Sequence, residues 1–165
     1  MGVGADLTPL ALDASHGLAT QQNALVAVWL GEPDPQHLSE AVAGMEKLHL
    51  QFPGRVLMLN VIGETAGMPN AATREALRGQ FEQMRGKLAA AAVVIEHRGV
   101  LHSLSRAIVT SLVTIARQPF TLKVFGDRGL AAEWLATHRG APDAAALTAL
   151  ALQLERRMRE QRATG

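Results

Sequence analysis

The stretch that decides the fold is Ala24-Leu25-Val26-Ala27-Val28-Trp29-Leu30, followed at once by Gly31-Glu32-Pro33-Asp34-Pro35. An unbroken apolar run of this length suits a strand covered on both faces, as in a parallel sheet. Asp34 before Pro35 reads as an N-cap followed by proline at the first helical position. Leu38, Ala41, Val42, Met45, Leu48 and Phe52 then recur at helical spacing until Pro53-Gly54 stops them. The unit is strand, loop, helix.

The unit repeats downstream. Val56 to Ile62 is a second buried strand, Gly63 to Pro69 a loop, and Asn70 the cap of a helix with Thr73, Leu77, Phe81, Met84 and Leu88 facing inward. Its outer face carries Arg78 and Glu82 as an i,i+4 pair. Ala91 to Ile95 is a third strand, Val100 to Arg117 a helix, and Thr121 to Phe125 a fourth strand. Asp127 caps a helix in which Leu130, Ala131, Trp134 and Leu135 form one face, and a last helix runs from Asp143 to about Arg159. Upstream, Leu10 to Ala14 reads as a short edge strand before a turn at His16-Gly17. Alternation of strands and helices predicts an α/β fold with a largely parallel sheet of about five strands and right-handed crossovers. Residues 1–140 are expected to form this domain, and residues 141–165 a C-terminal helical extension.

Composition narrows the function classes. Of 165 residues, 48% are apolar and 19% charged, which excludes a disordered chain. Sixteen Lys and Arg against fifteen Asp and Glu leave +1, so no global charge favours nucleic acid or acidic lipid. There is no cysteine, hence no disulfide, thiolate metal ligand or cysteine nucleophile. The longest apolar run, Leu88 to Ile95, falls far short of the roughly 20 residues that cross a bilayer. Met1 to Leu12 has no basic residue and carries Asp6 where the myristoylation pattern requires Ser or Thr. A soluble, cytoplasmic protein without an integral membrane segment is the expectation.

Lys123-Val124-Phe125-Gly126-Asp127, followed by Ala131-Ala132-Glu133-Trp134-Leu135, resembles the last strand and short helix of the STAS-like superfamily, most closely its SpoIIAA-like members. The resemblance covers about residues 24–138 and implies kinship with anti-sigma-factor antagonists. Within it Val124 is expected to face the core, with Trp134 and Leu135 clamping the closing helix to the sheet. In those antagonists a serine in an Asp-Ser-Ser-Gly-like loop is phosphorylated. The nearest stretch here is Glu64-Thr65-Ala66-Gly67, with alanine at the acceptor position and Thr65 beside it. A regulatory, signalling role without the phosphoserine switch is what the resemblance implies.

In open parallel sheets ligands bind beyond the carboxyl ends of the strands. That rule gathers Glu64, Thr65, Asn70, Glu96, His97, Arg98, His102 and Asp127 at one polar edge, either a docking surface or ordinary loops and caps. Glu96, His97 and His102 offer metal-ligand chemistry, but they straddle a strand–helix junction with no spacing that fixes the rings together, so no metal is assigned. His37 and His49 read as the polar side of the first helix. None of Ser15, Ser39, Ser103, Ser105 and Ser111 lies in GxSxG. Gly63 to Pro69 lacks a P-loop lysine. Neither a catalytic residue nor a cofactor is assigned, and no enzyme activity is expected. Arg156, Arg157, Arg159 and Arg162 are interleaved with Glu155 and Glu160 and no aromatic, so nucleic-acid binding is not expected.

Apolar surface suggests a different role. The helix 100–117 is apolar over more than the arc of about 100° that a sheet-covering helix needs, with Val109, Val113 and Ala116 on its flank. The last helix carries the stripe Leu147, Leu150, Ala151, Leu154 and Met158. Either the last helix covers that flank within the domain, or these residues form a protein-partner or homodimer surface. A cleft for a nonpolar, lipid-like ligand is the alternative. The expectation is a non-catalytic interaction module of STAS-like fold, and its alternative is a carrier or sensor of a nonpolar small molecule.

Overall fold

A computed structural model describes residues 8–66, 70–96, 107 and 120–165. These build one six-stranded sheet in the order β1-β2-β3-β4-β5-β6: Ala11–Leu12, His16–Gln21, Ala24–Trp29, Val56–Ile62, Leu88–Ile95 and Thr121–Phe125. The strands β3 to β6 run parallel, as the alternation predicts, and β1 and β2 add an antiparallel margin. Four helices are described: α1 (Pro35–Gln51), α2 (Ala71–Gln83), α3 (Arg128–Ala136) and α4 (Ala144–Thr164).

Each strand splits its side chains between two cores, as period-two geometry requires. Val26, Val28, Leu57, Leu59, Val61, Ala90, Ala92 and Val94 face α3 and α4, while Leu18, Leu25, Ala27, Trp29, Met58 and Ala91 face α1 and α2. Of the four consecutive alanines of β5, Ala90 and Ala92 share the first of these layers with Ala131 and Ala132 of α3, and Ala91 turns to the second. Small side chains on both elements let the helix approach the sheet closely.

The sequence reading is corrected in several places. His16-Gly17 is not a turn; it opens β2, and the sheet has a sixth strand in consequence. Gly17 lets α4 sit close to β2, since a Cβ there would lie 3.0 Å from Met158 Sδ and 3.3 Å from Leu154 Cδ2. The α2 helix ends at Gln83, and Leu88 starts β5 rather than completing a helical face. Arg78 pairs with Glu75, at 2.7 Å, instead of Glu82. On α3, Leu130 is exposed and Ala132 takes its place in the core. Val124 is half-buried, and Phe125 supplies the contact to Trp134, with ring centroids 5.7 Å apart. The helix set off as an extension lies on the sheet, with Leu147, Leu150 and Leu154 buried against β2 and β3. Those three residues therefore belong to the core of the subunit and present no partner surface. The other half of the apolar proposal, Val109, Val113 and Ala116, lies outside the described residues.

Candidate functional site: a histidine–carboxylate cluster at the carboxyl edge of the sheet

The site begins with a cross-strand pair. In the antiparallel register His16 stands directly opposite Trp29, the last residue of β3, so both rings emerge on the α1 face at the carboxyl end of the parallel strands. The Trp29 indole N–H donates to Asn60 Oδ1 on β4, which fixes the ring across the strand pair. The α1 helix starts beside them because Asp34 caps it, accepting from the His37 amide at 2.9 Å. His37 is thereby laid on His16, with ring centroids 3.6 Å apart and planes 29° from parallel.

Carboxylates close the cluster. Asp13, in the turn between β1 and β2, receives three donors on Oδ1: the Ser15 amide at 2.6 Å, the Ser15 hydroxyl at 2.7 Å and the His16 amide at 2.8 Å. Its second oxygen, Oδ2, lies 3.0 Å from His16 Nδ1 and 3.2 Å from His37 Nε2. The far nitrogen of His16, Nε2, is 2.8 Å from Glu40 Oε2, one turn further along α1. Burial opposes ionisation of Asp13, but the hydrogen bonds from Ser15 and His16, with the His16 ring, more than offset it and hold the carboxyl well below the usual range. His16 is buried at 2% exposure, whereas Asp13 is about half exposed, so the cluster meets solvent along its Asp13 side.

The sequence-nominated edge is assembled only in part. Thr65 lies by the same end of the sheet and donates its hydroxyl to the Leu30 carbonyl at 2.6 Å, with Ala66 buried next to it and Glu64 exposed. Glu96 belongs to a different group: Arg128 donates to Glu96 Oε1 at 2.8 Å and to Glu155 Oε2 at 2.8 Å, and Arg159 reaches Glu155 at 2.7 Å. Burial works against the Glu155 charge, but Arg159 and Arg128 hold its carboxyl below the usual range. Asn70 and Asp127 serve as helix caps. His97, Arg98 and His102 lie outside the described residues.

Asp13, His16, Trp29, Glu40 and Asn60 are absent from the sequence reading of the site, and His37 enters it only as a solvent-side residue. Two signals were available: the Asp-x-x-His spacing of Asp13 and His16, and the carboxyl-edge rule applied to β3 as well as to its successors. Between the described helices and the sheet, Leu25, Met45, Leu59, Leu135 and Leu147 are fully buried. No described helix is long and apolar enough to cross a membrane. The chain matches no protein-family model, no curated protein and no solved structure.

Proposed function

We propose that this chain is a non-catalytic regulatory module of STAS-like fold that works by binding a protein partner at the carboxyl edge of its sheet. The observation that carries the reading is the construction of that edge. Asp13, His16, His37 and Glu40 arrive from a turn, the strand β2 and the helix α1, and they hold one another in a fixed polar cluster that meets solvent along Asp13. The Ser15 hydroxyl donates to Asp13 and not to an imidazole, the geometry of a braced loop and not of an activated nucleophile. Thr65 spends its hydroxyl on the Leu30 carbonyl and Ala66 is buried, which supports recognition without a phosphoserine switch.

The test is site-specific photo-crosslinking of the full chain in its own host. A crosslinker at Glu64, on the rim of this edge, is compared with one at Leu50, which is 81% exposed near the C-terminal end of α1. A discrete adduct from position 64, with another protein or a second copy, weakened about tenfold by Glu40→Lys, is expected. Adducts from position 50 alone, or adducts indifferent to Glu40→Lys, would overturn the reading.

A further inference from the structure

Asp13, His16 and His37 each bring one ligand atom within 4.8 Å of the others, and Asp13 Oδ2 faces both His16 Nδ1 and His37 Nε2. Two of the separations, 3.0 and 3.2 Å, are hydrogen-bond distances that also fall in the range a single ion imposes on its ligands. Metal–ligand bonds of about 2.0–2.1 Å place neighbouring donors roughly 2.9–3.4 Å apart at octahedral or tetrahedral angles. Donor chemistry agrees, because two imidazoles and one carboxylate form an open triad suited to Zn(II), Fe(II), Co(II) or Ni(II) over Ca(II) or Mg(II).

The surroundings are built to orient these ligands. His16 places Nε2 2.8 Å from Glu40; with the proton on Nε2 that N–H donates to a carboxylate and Nδ1 keeps its lone pair for the ion, the carboxylate–histidine–metal relay. With that tautomer, Nδ1 and Asp13 Oδ2 face each other lone pair to lone pair at 3.0 Å, a contact that a metal ion beside the pair relieves as a proton on Nδ1 does. Asp13 divides its two oxygens in the same sense, since Oδ1 takes all three local donors and Oδ2 is left toward the rings. His37 Nδ1 is buried without a hydrogen bond, 3.4 Å from Asp34 Oδ2, a carboxylate placed to receive it once the ring turns. Such a turn is part of loading: the two rings are within 29° of parallel, so an ion in the plane of one lies off the plane of the other.

We propose that Asp13, His16 and His37 form a binding site for a divalent transition-metal ion, with Glu40 as the positioning residue of His16 and water completing the coordination on the exposed Asp13 side. The same side chains carry the partner-binding reading, and the two are told apart by their readouts: metal binding is measured on the isolated chain, partner binding by crosslinking in the host.

The experiment is calorimetric titration of the metal-stripped full chain with ZnCl2, paired with visible absorption on adding Co(II). One ion per chain is expected, with cobalt d–d bands that show nitrogen and oxygen ligation. His37→Gln and Asp13→Asn should each weaken binding at least tenfold, and Glu40→Gln should do so about tenfold. His49→Gln and His138→Gln should leave it unchanged. His16 is avoided as a probe because its burial makes unfolding the first outcome of replacing it, and circular dichroism confirms the fold of each variant used. Should Asp13→Asn not fold, His37→Gln decides alone, since His37 lies at the solvent-side margin of the cluster with a side chain 15% exposed. Absence of Zn(II) and Co(II) binding up to about 1 mM would overturn the proposal. Binding that ignores His37→Gln, or that follows His49 or His138, would overturn it equally.

Discussion

At the scale of single residues, Asp13 couples stability to pH. Its carboxyl is held below its unfolded value of about 3.9, so its contribution is fully present above that pH and is lost progressively as acid protonates the folded state. Asp13→Asn is therefore expected to lower the urea midpoint at neutral pH and to flatten its fall below about pH 4. Parallel acid limbs for the two proteins would show that the carboxyl contributes nothing. The cluster around Asp13 was only faintly legible in the sequence. Asp13 and His16 stand three apart, but His37 and Glu40 reach them from across a strand and a loop. No spacing rule joins them, because the geometry is made by a strand register and a helix start. His37 reads as solvent-side from its place on α1, yet the opposing strand puts a second ring against it.

Elements were more legible than residues, and their starts most of all. Each described helix opens on an Asx residue whose side chain accepts from the amide three residues on: Asp34, Asn70, Asp127 and Asp143. Such caps act locally, so sequence alone reveals them. The buried face of α4 was legible as well, since the stripe Leu147, Leu150, Ala151, Leu154 and Met158 is the one the structure buries; what covers that stripe was not. Leu154 is fully buried against the sheet while Leu152, two residues earlier, is 53% exposed. Leu154→Ala should destabilise the chain by about 2–5 kcal/mol, whereas Leu152→Ala should change stability by no more than about 0.5 kcal/mol, both by urea denaturation. Equal effects would mean that α4 does not lie on β2 and β3 in this register. The strand β2 escaped notice because Gly17 carries the signal of a turn. In the fold it lies in the middle of the α4 contact, close to Met158, a residue distant in sequence.

For the whole molecule, the order of the sheet sets a gradient of stability. The strands β3, β4 and β5 have neighbours on both sides and buried residues on both faces, whereas β1 is a two-residue margin paired on one side. Amide exchange should be slowest in β4, opening only with global unfolding, and fastest at Ala11 and Leu12. Protection at β1 equal to that at β4 would contradict this topology. The sequence by itself determined the parallel β3-to-β6 core and the helix starts, because apolar runs, Asx caps and Pro-Gly stops act over a few neighbouring residues. Tertiary structure alone decided that β2 joins the sheet, that the stripe on α4 is interior, and that two histidines and an aspartate share one point. Those outcomes depend on pairing register and on which layer covers which face, and such distances in space are not written in any local spacing.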